Sequence, residues 1–470
     1  MPGQLTINPR KAGASLRVAI VGGGLAGIAA AFTLQRGGHS VTVLERSDGT
    51  ARSDGGIRSP PNMTRILNHW GLGRQLAKAA VKCQQFVFHQ GDGEMLGLLP
   101  LHEDFLADLM ADFIFLKHGD LQSMLLELAT REGVEFRYNT AVESVDCDSM
   151  SVTLEDGERL YADLVVGADG PNSMVRTEVV GAEVTGVRDG ILSLTMSIPT
   201  DLMRDDDELR SLATDETWWT WLGSGVLIVG SLAGQKEYSV LVTLQGVPQE
   251  TLKQYDESWD KTYPIEHFGL DWSTYDIRVQ KLMKLAQNVK PTVHVGRPDL
   301  DSCVCERARI VVVGEAAHPF VPGCQQSASM AIEDAETLGG LFSRIQHRSQ
   351  ISRMLAAHEE IRLPRCNYVR DYELRKRMMM TAPIGPEQKA RDAGIRRMMT
   401  YNDHIDEHRF NEMWGDELEL FSYFATEKVD DWWTKWGSLL ARDTGKPEVP
   451  LTPTVEVSIS SGHRRSTFVY

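Results

Sequence analysis

The residues best suited to chemistry are three glycines and an acid near the beginning of the chain. Gly22, Gly24 and Gly27 form the pattern Gly-x-Gly-x-x-Gly, which lies between a β-rich run and a stretch of helical composition. In that context the first glycine permits a tight turn, the second lets the backbone approach a pyrophosphate, and the third lets helix and strand pack closely. Glu45 follows the next β-rich run, where a carboxylate can accept hydrogen bonds from a ribose. The pattern therefore predicts a dinucleotide-binding turn.

Three short elements must position this turn. Residues 17–21 are an apolar run typical of a buried strand, residues 25–35 have helical composition, and residues 40–44 are β-rich again. The glycines that follow residue 35 are expected to end the helix. The segment is thus a β-α-β unit, with the helix N-terminus available to bind phosphate.

Two further polar segments also follow strand-like runs. Asp169 comes after residues 134–166, which alternate like a β-meander, and Glu315 comes after the apolar run of residues 310–313. The segment of residues 91–97 imitates a second dinucleotide motif, but its two acids would repel phosphate and a hairpin turn is the better interpretation. We expect a single dinucleotide site.

The chain divides by composition into four segments. Residues 1–180 form the first part of the nucleotide-binding domain, residues 181–300 an inserted sheet domain with clustered tryptophans, residues 301–375 the return to the first domain, and residues 376–470 a helical C-terminal region. Between residues 218 and 221, alternation would put Trp219 and Trp221 on one face of a strand, as an aromatic pocket or as core.

Composition excludes several classes of protein. The net charge of −16 argues against nucleic acid as a partner, and no apolar run is long enough to span a membrane. Cys303 and Cys305 have the wrong spacing for a metal knuckle and are interpreted as buried thiols, with a cytoplasmic location. No metal site is expected, and the oligomeric state is left open.

In combination, these motifs resemble those of the class A flavoprotein monooxygenases, in particular the salicylate hydroxylase-like branch. Asp169-Gly170 with Arg176 is similar to the motif that this family links to FAD and pyridine nucleotide, and Gly314-Glu315 to the motif whose acid contacts the ribityl chain. The resemblance implies an α/β fold: a Rossmann-type FAD-binding domain of the glutathione reductase and p-hydroxybenzoate hydroxylase type, with an inserted mixed β-sheet substrate domain and a helical C-terminal region.

The resemblance also implies a set of FAD contacts, and three of them depart from the family pattern. The set is Gly22, Gly24, Gly27, Glu45, Gly56, His118, Asp169, Glu315, Pro322, Ser327 and Ala328. Glu315 stands where the family has an aspartate, His118 where it has an arginine, and Ser327 where it has a glycine. FAD binding is still expected, whereas the mobility of the flavin is left open.

The implied reaction is hydroxylation of an aromatic ring. NADH or NADPH would reduce FAD, and O2 would add to give a C4a-hydroperoxide that attacks a phenolic or benzoate-type substrate, with or without loss of carbon dioxide. Three alternatives stay open: hydroxylation or epoxidation of a larger natural-product scaffold, a flavin reductase that does not use oxygen, and a catalytically idle FAD-binding protein.

A phenolic substrate calls for a base, because ionisation makes the ring electron-rich. His294 lies in a β-rich run of the inserted domain and is the sequence's candidate for that base, with a histidine of the surface or the core as the alternative.

Overall fold

A parallel sheet of five strands carries the predicted dinucleotide turn. The computed structural model describes residues 10–50, 55–181, 186–255, 261–399 and 407–437, without the side chains of residues 398–399 and 407–413. In spatial order the strands of this sheet, called here the nucleotide sheet, are Ile310–Val312, Leu164–Gly167, Arg17–Val21, Ser40–Leu44 and Glu135–Arg137. The two strands Ile310–Val312 and Leu164–Gly167 are apolar and fully buried, and the next two are buried over most of their length because helices cover the sheet. The edge strand Glu135–Arg137 is polar and partly exposed.

The helix after the glycine turn spans Leu25–Arg36 and confirms the predicted β-α-β unit. It packs against two other helices, His118–Glu132 and Ser327–Phe342. The first of these is followed by Gly133, whose left-handed backbone (φ 94°) ends the helix. It begins at His118, directly after the strand Ile114–Lys117.

A second sheet of seven strands, called here the large sheet, is mixed, as the resemblance implied. Its order is Lys290–Gly296, Val187–Pro199, Glu237–Gln245, Val226–Leu232, Thr217–Gly223, Gln85–Gln90 and Met95–Pro100. The last two strands come from the part of the chain assigned by sequence to the nucleotide-binding domain. They form the predicted hairpin around residues 91–94, and Gln85–Gln90 pairs in parallel with Thr217–Gly223.

Two smaller sheets and several short helices complete the described part of the fold before the C-terminal region. One three-stranded sheet contains Gly56–Ser59, Ile114–Lys117 and Val81–Lys82, and another is the predicted meander of Val142–Asp146, Ser151–Leu154 and Arg159–Tyr161. The remaining α-helices before the C-terminal region are Pro61–His69, Gly73–Ala79, Glu103–Asp108, Met174–Val180, Arg210–Thr214, Gln249–Leu252 and Ile277–Leu285.

The part of the C-terminal region that the structure describes is helical, as expected. The helix Ile351–Met380, called here the long helix, has 30 residues and continues through Pro364. It is followed by Pro386–Met399, Glu407–Phe421 and Ala425–Trp432. In the described ranges, no helix combines the length and the apolar character that crossing a membrane requires.

One cysteine assignment from the sequence is wrong. Cys303 is a buried thiol as predicted, but Cys305 forms a disulfide bond with Cys147. The meander brings Cys147 beside the segment that precedes Ile310–Val312, so that the two Cα atoms lie 7.1 Å apart. The partners are 158 residues apart in sequence, and local spacing carries no information about such a pair.

Candidate active site

The three sequence motifs meet at one edge of the nucleotide sheet. Val21 is in register with Gly167 and with Leu44, and Gly167 is in register with Val312. The strands therefore end level, and the segments that follow them lie side by side. The carboxyl edge of a parallel sheet is where dinucleotides bind in folds of this type.

The glycine turn has the shape of a phosphate cradle. A Cβ atom at Gly22, whose φ is 103°, would collide with the carbonyl of Ala168, and one at Gly27 would collide with the carbonyl of Gly22. Those glycines are thus required by packing alone. A Cβ at Gly24 would meet nothing within 4 Å. This open space lies at the start of the helix, whose first amides have no partner within it and favour an anion.

Glu45 lies beside the turn, as the spacing predicted. Its Oε2 accepts a hydrogen bond of 2.6 Å from the amide of Gly23, and its Oε1 accepts one of 2.8 Å from the amide of Ser47. A carboxylate offers about four lone-pair sites, so two are still available to the hydroxyls of a ribose.

Asp169 and Arg176 fix the second motif to the third. Oδ1 of Asp169 accepts a hydrogen bond of 2.5 Å from the Ser173 hydroxyl. Its Oδ2 accepts one of 2.8 Å from the amide of Met174, the first residue of the helix Met174–Val180. From that helix the buried guanidinium of Arg176 donates to the carbonyl of Ala317 at 2.7 Å. Asp169 thus holds the loop, and Arg176 links it to the Gly314–Pro319 segment.

Two departures from the family pattern contact each other. The Ser327 hydroxyl donates a hydrogen bond of 2.9 Å to Oε1 of Glu315. Burial raises the pKa of Glu315, while the bond from Ser327 and the nearby charge of His318 oppose that rise. The longer acid therefore reaches a donor that a glycine could not supply.

His118 presents a neutral imidazole where the family has a cationic arginine. Burial lowers the pKa of His118 to about 4, and the neighbouring Lys290 acts in the same direction. Its backbone amide is bonded to the carbonyl of Gly55, while the amide of Gly56 donates to Ser239 Oγ at 2.9 Å. This segment is thereby fixed between the two sheets.

Several buried polar atoms near the predicted FAD contacts make no hydrogen bond within the described residues. Among the described residues, His118 Nδ1, Asn62 Oδ1 and Gln326 Nε2 have no hydrogen-bond partner. Unpaired buried polar atoms are rare in folded proteins. Together with the open space at Gly24, they fit a large polar cofactor such as FAD.

A buried ion-pair network fixes the Gly314–Pro319 segment. Asp334 Oδ2 lies 2.6 Å from His318 Nε2 and accepts a bond of 2.8 Å from the Gly314 amide, while Oδ1 accepts one of 2.8 Å from Arg362. Burial alone would lower the pKa of His318. The nearby Cys366 and Asp334 outweigh this effect and raise the pKa of His318 to about 10. His318 is thus a cationic structural residue.

A cavity of about 430 Å³ lies between the large sheet and the long helix, next to the loop that precedes Ser327. Its sheet wall is mostly apolar: Phe86, Phe88, Leu99, Trp218, Thr220, Leu227, Val229 and Leu241. Its helical wall is charged and includes Glu373, Arg375, Lys376, Arg377, Asp416 and Glu417. Gly323, Cys324 and Gln325 of the loop close one end.

The predicted aromatic face belongs to the core. Trp219 and Trp221 lie on one side of their strand and stack with His89, away from the cavity. Trp218, on the opposite side, lines the cavity. The guanidinium of Arg58 lies over its ring, 4.6 Å from the ring centroid. Alternation therefore predicted correctly that Trp219 and Trp221 share a face. The cavity lies on the opposite face of the strand.

His294 lies outside the residues that line this cavity. Its Nδ1 is 2.5 Å from Oδ2 of Asp189, at an irregularity between the strands Val187–Pro199 and Lys290–Gly296. The imidazole is buried and close enough to Glu315 to affect the acid's pKa. A catalytic role for His294 stays a prediction.

A sequence profile described as FAD binding domain matches residues 15–371. The chain belongs to this family. The FAD-dependent monooxygenase OpS4 of Beauveria bassiana (strain ARSEF 2860) is 28% identical over 399 residues, which cover 84% of this chain and 91% of that protein. Hispidin-3-hydroxylase of Neonothopanus nambi is also 28% identical, over 76% of this chain and 87% of that protein.

The solved structure of a salicylate hydroxylase substrate complex has the same fold. Its TM-score is 0.69 at 18% identity, and the match covers 88% of this chain and 97% of that one. These comparisons confirm the resemblance: the flavoprotein is an FAD-dependent monooxygenase with the fold that the resemblance implied.

Sequence reasoning missed the charged wall of the cavity. Glu373, Lys376 and Arg377 lie in the long helix, where a dense mixture of charges gave no sign of which side chains face inward. The contact between Asp334 and His318 was also missed. It forms only when the helix Ser327–Phe342 packs against the Gly314–Pro319 segment, and no local sequence pattern indicates that packing.

Proposed function

We propose that this flavoprotein hydroxylates a neutral phenolic compound larger than a single ring, with FAD as its cofactor and with O2 and NADH or NADPH as co-substrates. The observation that carries the choice of substrate is the cavity beside the loop before Ser327. Its volume of about 430 Å³ lies within the range of roughly 300–1,000 Å³ typical of sites for drug-sized ligands. A single benzoate would leave much of it unfilled.

The charges of the cavity also favour a neutral substrate. Its lining has three acids, Glu373, Asp416 and Glu417, and three bases, Arg375, Lys376 and Arg377. The Lys376 ammonium is bonded to Glu417 at 2.8 Å, and the Arg377 guanidinium donates to Thr243 Oγ1 at 2.7 Å. A benzoate would have to displace such partners, since no excess of positive charge draws it in.

FAD would be held by the residues that the resemblance assigned. The phosphates would lie at the turn of Gly22, Gly24 and Gly27, and the ribose at Glu45. The remaining contacts would be Gly56, His118, Asp169, Glu315, Pro322, Ser327 and Ala328. The bound cofactor would supply the redox chemistry and the activation of oxygen.

The chain's own contribution is to orient the substrate and to exclude water. The apolar wall that includes Phe86 and Trp218 suits the faces of aromatic rings. The long helix closes the other side, and Ile395 of Pro386–Met399 also lines the cavity. Most of this helical wall lies beyond residue 371, where the FAD binding domain match ends. We therefore expect it to determine which substrate is accepted.

A substrate panel tests this proposal. NADH and NADPH oxidation and oxygen uptake by the FAD-loaded protein would be compared for neutral phenols of one and two rings and for the corresponding benzoates. We expect the two-ring phenols to give the largest stimulation and the lowest KM. Preferential stimulation by a one-ring benzoate would refute the choice of substrate class and leave the monooxygenase assignment in place.

Two further points are part of the proposal. We keep the division into residues 1–180, 181–300, 301–375 and 376–470, with residues 85–100 reassigned to the substrate domain because their strands belong to the large sheet. We also propose a cytoplasmic location. The four free thiols of Cys83, Cys303, Cys324 and Cys366 support it, and the Cys147–Cys305 disulfide weighs against it.

A further inference from the structure

A carboxyl group lies where the cavity meets the loop before Ser327. Glu373 of the long helix lines the cavity and is buried, with 9% of its surface exposed. Its Oε1 accepts a hydrogen bond of 3.1 Å from the amide of Gln326, and the amide of Gln325 also bonds the carboxylate. Two amides therefore hold the group in place, and about half of its lone-pair sites are left for a ligand.

The surroundings of Glu373 make it a stronger base than an exposed carboxylate. Burial raises its pKa, while Lys376 and Arg377 on the same helix and the two amides oppose the rise. From other elements, Arg58 of Gly56–Ser59 and Cys324 of the loop also interact with its charge. The net direction is upward, towards the pKa of a phenol.

The other acids of the cavity are poorly suited to accept a proton. Glu417 is bonded to Lys376 at 2.8 Å and to the Tyr372 hydroxyl at 2.5 Å, and these bonds keep its pKa low despite burial. Asp416 is exposed to solvent. Among the described residues that line the cavity, Glu373 is thus the acid that is buried and also bonded to the loop.

We propose that Glu373 is the base of the reaction: it binds the phenolic hydroxyl of the substrate and takes its proton. The O–H bond of the phenol breaks, an O–H bond forms on the carboxylate, and the electron pair stays on the phenolate oxygen. No oxidant or reductant takes part in this step. The assignment rests on the proposed function, because it requires a phenolic substrate in this cavity.

Proton transfer matters because a phenol is a weak acid. With a pKa of about 10, only about one molecule in a thousand is ionised at pH 7. The phenolate is the electron-rich form that electrophilic hydroxylation requires. A base at this position would make the neutral phenol reactive at physiological pH, and removal of such a base typically costs about 10²–10⁴-fold in rate.

The test compares two substrates in the FAD-loaded Glu373→Gln variant. Glutamine keeps an oxygen that can accept the Gln326 amide but cannot act as a base. The first substrate is 2-naphthol, which is neutral at pH 7, and the second is a chlorinated 2-naphthol that is already ionised at that pH. We expect kcat for 2-naphthol to fall about 10²-fold or more, with little change in KM, and kcat for the ionised substrate to fall far less.

The pH profile gives an independent readout. In the variant, kcat for 2-naphthol should rise about tenfold per pH unit as the bound phenol ionises, whereas the wild type should level off above the pKa of Glu373. Glu419→Gln, at an exposed residue bonded to Tyr368, is the control and should leave both substrates unaffected. If Glu373→Gln fails to fold or to hold FAD, Glu373→Asp replaces it and should keep activity on the neutral phenol.

Two results would overturn the assignment. One is an equal loss for neutral and ionised substrates in Glu373→Gln, which would indicate a structural role. The other is full activity of that variant on 2-naphthol. If the wild type is stimulated by neither substrate, the proposed function itself fails, and the role of Glu373 fails with it.

Discussion

The hydroxyl of Ser327 donates a hydrogen bond of 2.9 Å to Oε1 of Glu315, so two departures from the family pattern form one contact. A longer acid and a serine replace the aspartate and glycine that the resemblance leads one to expect. In the FAD site that we propose, the acid and its donor therefore differ from the family pattern as a pair. The contact also explains why neither change, taken alone from the sequence, excludes FAD binding.

This contact predicts that the two substitutions are coupled. Ser327→Gly removes the donor to a buried carboxyl, and Glu315→Asp withdraws the acceptor, so each single variant should bind FAD more weakly. The double variant carries the family's pair and should lose less than the sum of the two. FAD titrations of all four proteins measure the coupling, which we expect at about 0.5–3 kcal/mol. Strict additivity would mean that the contact has no role in binding.

The second prediction separates the two kinds of glycine in the turn. Gly24→Ala places a methyl group in open space, so the apoprotein should keep its melting temperature while FAD binding weakens, because the pyrophosphate needs that space. Gly27→Ala collides with the carbonyl of Gly22 and should lower the melting temperature of the apoprotein. Normal FAD affinity in Gly24→Ala would mean that the phosphates of FAD bind elsewhere than at this turn.

The third prediction concerns Glu45. Glu45→Ala should lower FAD occupancy in the purified protein while the fold is kept, since the carboxylate contacts the amide of Gly23 at the turn. Loss of a charged hydrogen bond to a ligand costs about 1.5–3 kcal/mol. The absorbance spectrum after gel filtration reports occupancy, and Glu143→Ala, at an exposed acid, is the control. Full yellow occupancy in Glu45→Ala would contradict the assignment.

The fourth prediction is a pH dependence of stability at His318. Its pKa of about 10 in the folded protein is above the value of 6.5 expected for the unfolded chain. Its contribution is therefore fully present below pH 6.5 and is lost as the pH rises towards 10. Asp334 has a lowered pKa, so its contribution is lost in acid, below its ordinary value of 3.8.

His318→Asn should thus destabilise the apoprotein by about 1–3 kcal/mol near pH 6, with a smaller difference from the wild type near pH 9. Urea unfolding of both proteins at the two pH values measures this. A difference that grows with pH would mean that His318 is neutral in the folded state.

Local patterns predicted much of the nucleotide-binding domain. The strands Arg17–Val21 and Ser40–Leu44 and the helix between them follow from apolar runs, β-branched residues and the glycines that bound them. The site at the carboxyl edge could also be predicted, because parallel strands bring their ends together.

Long-range contacts could not be predicted in the same way. The strands Gln85–Gln90 and Thr217–Gly223 pair in parallel although they are far apart in the chain. No pattern in the sequence between them indicates that they pair. The inward position of Glu373 depends on how the long helix packs against the large sheet. In a helix with charges on several faces, periodicity does not decide which of them is buried.

We propose above that this flavoprotein uses oxygen to hydroxylate a phenol bound beside the loop before Ser327. The mass of the product that the FAD-loaded protein forms from 2-naphthol and NADH or NADPH under ¹⁸O2 tests this directly. We expect substrate-dependent oxygen uptake and a product that has gained a single labelled oxygen atom. Nicotinamide oxidation that does not depend on oxygen, or a product whose added oxygen comes from water, would contradict it.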